Sequence, residues 1–223
     1  GEFLESLPDL PPGQKNRAIA VLMAAYRLLP SELQGMVMLL GAAFAGGASE
    51  ELLCDVSGAR PEVLRRRMEA LVARGFASER SVYGEPYFVA HSLVREFAQA
   101  FLRGKKRLNT MLARYLQGLP VYVRRHTGEL DLDHYNRLST EVPNMLGAGL
   151  HAARHGKLDF LRELTQPLDT TLDEGFVALR RFEPELAWLH YLIEYPNAAD
   201  YGVLGELPPQ PETADQGDAP AVA

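Results

Sequence analysis

Apolar residues recur at the spacing of one helical face along most of this 223-residue chain. In the first third, this pattern predicts four helices, over residues 16–29, 31–44, 49–57 and 61–75. The last of them begins at a proline and ends at a glycine, the residues favoured at those two helix termini. The N-terminal part of the chain is therefore expected to be a compact helical unit.

The period of the pattern then changes. Residues 76–82 and 87–90 are rich in β-branched and aromatic side chains and flank the turn residues 83–86, which predicts one β-hairpin. The second strand ends at His91 and leads directly into a helix that the Ser92 hydroxyl could cap. The apolar face of that helix comprises Leu93, Val94, Phe97, Ala98, Phe101 and Leu102. His91 is therefore expected to be fixed at a strand-to-helix junction.

Beyond Gly104 the pattern is purely helical. One face runs over residues 108–119, with Pro120 ending or kinking that helix. A second helix is predicted to start at Glu141-Val142-Pro143-Asn144 and to end at Gly156, followed by a helix over residues 158–172 and another beginning near Phe182.

These elements define the predicted fold class. Several helices, a hairpin and another helix follow one another in the order of a winged helix-turn-helix. We therefore predict a mainly α protein with an irregular lead-in (1–14), a winged-helix domain with one β-hairpin (15–104) and a helical, TPR-like repeat domain (105–202). Residues 203–223 combine prolines with acidic side chains and are predicted to be disordered.

Composition narrows the function classes. A net charge of −6 disfavours non-specific binding to nucleic acid, which depends on cationic contacts to phosphate. The single cysteine, Cys54, cannot form an internal disulfide and fits a reducing compartment. No apolar run approaches the roughly 18 residues needed to span a bilayer. We expect a cytoplasmic protein without membrane contact, and Gly1 in place of a methionine suggests a piece of a longer protein.

The residues around His91 resemble a known family. Ala90-His91-Ser92 followed by Leu-Val-Arg-Glu-Phe-Ala at 93–98 is similar to the end of the winged-helix domain in bacterial NB-ARC proteins, a group of STAND signalling ATPases. Residues 26–30, 43–47 and 71–76 resemble further markers of that domain. Residues 141–156 resemble the first helical repeat that follows it.

The resemblance implies a regulatory role. The winged helix would dock in cis on a nucleotide-binding domain and control its ADP/ATP switch, with His91 contacting the β-phosphate of ADP. The helical domain would bind a protein partner, and activation could involve homo-oligomers. An alternative for His91 is that it only packs at the junction.

No Gly-x-x-x-x-Gly-Lys-Ser/Thr loop occurs in the sequence. We therefore expect no catalytic residues and no cofactor in this chain, while the full-length parent would bind ADP or ATP.

Two other sites can be considered. Arg65, Arg66 and Arg67 lie where a DNA-binding winged helix carries its recognition helix, so the alternative function is a transcriptional regulator with a helical dimerisation domain. Glu62 and Glu69, however, are spaced to neutralise Arg66 and Arg65.

His151 and His155 have the i, i+4 spacing of metal ligands. No acidic residue lies between them, and we predict no metal site.

Overall fold

The computed structural model describes residues 12–127, 131–173 and 183–197, which form a mainly helical structure with one small antiparallel sheet. In chain order its elements are α1 (Pro12–Arg27), α2 (Ser31–Gly41), β1 (Gly47–Ser49), α3 (Glu50–Ser57), α4 (Pro61–Val72), β2 (Ala77–Val82), β3 (Glu85–Ala90), α5 (Ser92–Gly104), α6 (Leu108–Thr127), α7 (Leu132–Arg154), α8 (Leu158–Asp173) and α9 (Glu183–Glu194). We call residues 12–104 the helix–sheet region and the described residues from 108 onward the helical region. None of the described helices combines the length and apolarity needed to cross a bilayer.

Local sequence signals account for several element ends. The Ser49 hydroxyl accepts a hydrogen bond from the Leu52 amide at 3.2 Å and so caps α3. Gly58, with φ of 70°, ends the same helix in the left-handed conformation that glycine adopts without strain. Tyr83 and Gly84 both have positive φ, as a two-residue type I′ turn requires, and they join β2 to β3 in the predicted hairpin.

The sheet contains one strand more than the single hairpin predicted. β1 pairs antiparallel with β3, with Gly47 opposite Val89, so the strand order is β1-β3-β2. A Cβ on Gly47 would lie 2.7 Å from the Phe88 carbonyl oxygen, so glycine permits this close approach. β1 has only three residues and no β-branched side chain, which explains why the sequence pattern did not reveal it.

One continuous hydrophobic core runs through both regions. Buried side chains from α1 to α9 belong to a single cluster, so the predicted boundary at 104/105 falls in the α5–α6 loop without dividing the core. Gly41 of α2 lets α5 approach closely, because a Cβ there would lie 2.4 Å from the Cβ of Ala98. Tyr26 fixes α1 against α5 through edge contacts with Phe97 and Phe101, at centroid distances of 5.2 and 5.5 Å.

One predicted helix boundary is wrong: α7 starts at Leu132 rather than at 141–144, so it continues through Pro143. Pro120, which was expected to end or kink its helix, lies inside α6 and does not end it. The Asp131 carboxylate caps α7 by accepting a hydrogen bond from the His134 amide at 2.9 Å. A proline inside a helix removes one backbone hydrogen bond, and tertiary packing of α7 outweighs that loss.

Other boundaries differ less. Gly156, with φ of 66°, follows α7 as predicted. α1 begins at Pro12, within the stretch predicted to be an irregular lead-in. The tail over residues 203–223 lies outside the described residues.

The two regions are joined by a buried polar interaction, which we call the α7–β1 contact. Glu141 and Asn144 are fully buried on α7. The Ser49 amide donates to Oε1 of Glu141 at 2.6 Å, and Nδ2 of Asn144 donates to Oε2 of Glu141 at 2.6 Å. Asn144 also donates to the Gly47 carbonyl and accepts from the Ala45 amide, both at 2.8 Å. The α7–β1 contact therefore fixes helix α7 to both sides of Gly46.

Burial affects the pKa of Glu141 in this contact. Desolvation raises the pKa of Glu141, although its hydrogen bonds with Ser49 and Asn144 act in the opposite direction. The side-chain amide of a residue such as Asn144 can form a hydrogen bond with either protonation state of the Glu141 carboxyl group, since it has both donor and acceptor atoms.

Replacing Asn144 with alanine is expected to destabilise the protein by about 2–4 kcal/mol, because the Ala45 amide, the Gly47 carbonyl and a Glu141 oxygen would lose a buried partner. Urea unfolding followed by circular dichroism would measure the change. Asn136→Ala provides the control on the same helix, and it should shift the free energy of unfolding by less than about 0.5 kcal/mol. Equal effects of the two substitutions would contradict a special role for Asn144.

Candidate functional site

His91 lies between the end of β3 and the start of α5, as the sequence predicts. Its carbonyl oxygen accepts the first helical hydrogen bond of α5, from the Arg95 amide at 2.9 Å. The residue is 7 % exposed, so at most a small part of its ring reaches the surface. The predicted Ser92 cap is wrong, because His91 itself is the N-cap residue and α5 has no side-chain cap.

A hydrogen bond to Gly46, the residue before β1, restricts the position of His91. The Ala90 amide donates to the Gly46 carbonyl at 3.0 Å, immediately before His91 in the chain. Gly46 is in turn flanked by the two backbone groups that Asn144 binds, on Ala45 and Gly47. A short series of hydrogen bonds therefore runs from α7 through β1 to the junction that carries His91.

The three arginines of α4 do not form one free basic patch. Arg65 pairs with Glu50 at 2.6 Å and Glu79 at 2.7 Å, and its guanidinium lies 5.6 Å from the Phe88 ring centroid. The expected pairing with Glu69 on the same helix is not formed. Arg66 is exposed and Arg67 is half-buried. At most two of the three side chains are available to an external partner.

His151, near the end of α7, and His155, the residue that follows the helix, have their rings in contact at a tilted angle. The ring centroids of His151 and His155 lie 4.1 Å apart, and Nδ1 of His155 lies 2.8 Å from the His151 carbonyl oxygen. Burial and neighbouring cations lower the pKa of His151 to about 4, so its ring is neutral at pH 7. The described part of the chain holds no group of three or more metal-ligating side chains.

A cavity of about 570 Å³ was not anticipated from the sequence. It lies between α3, β3, α6 and α7, and its charged lining residues are Glu50, Glu51, Asp55, Arg65, Glu85, Arg125 and Arg137. We call the ion pairs around Glu51 the Glu51 cluster. Its partners are 70 or more residues away along the chain, so no local spacing could reveal it.

Glu51 is the centre of this cluster. Its Oε1 accepts from Arg125 at 2.6 Å, and its Oε2 accepts from Arg137 at 2.8 Å. The buried His126 lies with its Nε2 3.1 Å from Oε1. Arg137 also reaches Glu85 at 2.6 Å. Carboxylates and guanidiniums neutralise one another here, which favours a structural role over ligand binding.

The environment of Glu51 shifts its titration. Burial alone would raise the pKa, but the contacts with His126, Arg125 and Arg137 outweigh it and lower the pKa of Glu51 to about 2. Ionised Glu51 therefore stabilises the folded protein.

Comparisons with known proteins add no identity: no protein-family model, no curated protein and no solved structure matches this chain.

The Glu51→Gln substitution is expected to lower stability in a pH-dependent way. The folded-state pKa is depressed from 4.5 to about 2, so the contribution is complete above pH 4.5 and is lost as the pH falls toward 2. Near pH 6 the loss should be about 2–3 kcal/mol. Urea unfolding at pH values from 3 to 7 would measure the difference between the two proteins.

The control is Glu62→Gln, which removes an exposed carboxylate from α4. The free energy of unfolding of this control should differ little from wild type at every pH. A constant difference between wild type and Glu51→Gln across the pH range would contradict the assigned role of the ionised carboxylate.

Proposed function

We propose that this chain is the non-catalytic regulatory module of a STAND ATPase of the NB-ARC type. In this proposal, residues 15–104 form a winged helix that docks in cis on a nucleotide-binding domain and controls its ADP/ATP switch. Residues 105–202 form a TPR-like domain that receives a protein partner and relays its binding. The whole protein would work in the cytoplasm.

The single observation that carries this proposal is the route from α7 to His91. Asn144 holds the backbone on both sides of Gly46, and the Gly46 carbonyl holds the Ala90 amide next to His91. The two sets of hydrogen bonds are linked by the backbone of residues 45–47, so a displacement of α7 would displace the junction as well. A partner bound to the helical region could thereby change the position of His91.

The junction suits the role proposed for His91. An imidazole can donate a hydrogen bond to a phosphate oxygen, and the flanking strand and helix restrict where that donor lies. Because only 7 % of the residue is exposed, a phosphate could be reached only at one edge of the ring. A small shift of the junction would then be enough to make or break the contact, as a bistable switch requires.

Duplex DNA binding is the less favoured function. A recognition helix needs free cationic side chains in the groove, whereas Arg65 is committed to Glu50 and Glu79. The sequence itself has a net charge of −6. A salt-dependent shift of duplex DNA by this chain, weakened by Arg66→Glu, would reverse this preference.

The first test is the gene sequence upstream of the codon for Gly1. A phosphate-binding loop encoded within about one domain length supports the proposal, since the switch needs a nucleotide-binding domain in the same chain. An upstream region without such a loop would remove the proposed partner in cis.

In the full-length parent, His91→Ala is expected to accelerate ADP release about tenfold or more, because a hydrogen bond to a charged phosphate is lost. Dissociation of a fluorescent ADP analogue and the ADP content of the purified protein would measure this. His134→Ala is the matched control, since His134 lies on α7 and pairs with Asp131 away from the junction. Unchanged ADP retention and basal activity in His91→Ala would contradict the proposed contact.

A further inference from the structure

A second cavity, of about 360 Å³, lies between α5 and α7, and we call it the α5–α7 groove. Its charged lining residues are Arg95, Arg103 and Arg154, and its described lining includes no carboxylate. This composition is unusual in a chain whose acidic residues outnumber its basic ones, 29 to 23.

Arg95 is fixed in one orientation by the fold. Its NH2 donates to the Phe44 carbonyl at 2.8 Å, and Gly46 leaves space for the guanidinium, because a Cβ there would lie 3.0 Å from NH1. The Nε of Arg95 is buried and has no hydrogen-bond partner among the described residues. Because Nε is shielded from solvent, other atoms of Arg95 line the groove.

The rim of the groove is cationic from both helices. Arg103 is exposed two turns after Arg95 on α5, and its NH2 donates to Oε1 of Gln99 at 3.1 Å. Arg154 lies at the end of α7, also exposed. Guanidinium groups on two sides can bind an anion bidentately, which suits the geometry of a phosphate.

The pKa of His151, which also lines the groove, depends on the electrostatic potential there. Burial lowers its pKa most, and the nearby His155 ring and the cationic side chains of Lys157 and Arg154 lower it further. Those charges disfavour another cation in the groove and favour an anion for the same electrostatic reason.

The remaining walls are apolar. Phe44, Leu108, Leu112 and Leu150 line the groove beside the arginines. A cavity of this size with a few convergent polar groups and apolar walls is at the lower end of the range for small-molecule sites. The walls fit an organic body attached to the anionic group better than a fully hydrated free ion.

We propose that the α5–α7 groove binds the phosphate group of a small organic phosphate, with Arg95 at its base and Arg103 and Arg154 at its rim. This inference does not rest on the proposed function, because it concerns a site complete within this chain. His91 does not line the groove. The site can therefore be tested without a nucleotide-binding domain.

The test is a titration of the ¹⁵N-labelled chain with inorganic pyrophosphate, and separately with ADP and with succinate, at low ionic strength. The Nε–H signal of Arg95 and the amide signals of Gly147 and Leu150 should shift in a saturable way, with a dissociation constant below about 1 mM. Succinate should bind more weakly than pyrophosphate, since it carries less charge. Binding of ADP tighter than pyrophosphate would support the proposal, because it would assign the apolar walls to the organic body. Equal binding would restrict recognition to the phosphates and contradict the organic part of the proposal.

Variants locate the site. Arg103→Glu places a carboxylate at the exposed rim without touching the core, and it should weaken pyrophosphate binding more than tenfold. Arg95→Gln should weaken it about tenfold. The control is Arg124→Gln, an exposed arginine of α6 outside the groove, which should leave binding within about twofold of wild type.

Two results would overturn the proposal. One is the absence of saturable shifts with pyrophosphate up to about 10 mM, a concentration tenfold above the expected dissociation constant. The other is an equal effect of Arg103→Glu and Arg124→Gln, which would reduce the binding to general electrostatic attraction. Because Arg103 is exposed, its variant stays informative even if Arg95→Gln fails to fold.

Discussion

The structure depends on one buried interaction, the hydrogen bonding of Glu141 and Asn144 to the backbone around β1. Placing a carboxyl group where it is fully buried is unfavourable unless its oxygens find partners, and here the Ser49 amide and the Asn144 side chain supply them. The geometry leaves little freedom, since a displaced α7 would leave several buried polar groups unpaired at once. The contact therefore specifies how the helical region lies against the helix–sheet region, beyond what non-directional hydrophobic packing can specify.

A second contact on the same face of α7 supports the first. Arg137, Glu141 and Asn144 are spaced i, i+4 and i+7, so they project from one side of the helix. Arg137 binds Glu51 of α3 and Glu85 of β3, while the other two bind the backbone at β1. The two contacts differ in physical character. The Glu51 cluster is partly exposed and contains an ionised carboxylate whose pKa is lowered, whereas Glu141 and Asn144 of the α7–β1 contact are fully buried.

The sequence was informative wherever structure is set locally. A turn was predicted over residues 83–86, where Tyr83 and Gly84 form it, and Gly156 was predicted to follow α7; both signals act within a few residues and were recognisable from residue type. The α7–β1 contact was not, because the Ser49 amide and Glu141 are 92 residues apart. Glu141 and Asn144 were predicted to lie at a helix start, because they resemble the entry of a helical repeat. In the helix interior they instead face a strand that the pattern had not revealed. His91 was located at its junction for local reasons, whereas Arg95 and Arg154 line the same groove although they are far apart in the chain.

The junction at His91 and the α5–α7 groove share helix α5. His91 is the N-cap residue of this helix, and Arg95, at the base of the groove, follows one turn later. Arg154 comes from α7, the helix that the buried contact ties to β1. An anion bound to arginines of both helices would stabilise their present arrangement in proportion to its differential affinity for it. By linkage, any event that moves α7 away from β1 would weaken the binding of that anion by the same free energy. Coupling between two sites requires a structural element that both share, and the groove and the junction share α5. The Gly46 backbone links α5 to α7, since it lies against Arg95 on one side and between the two residues that Asn144 binds on the other.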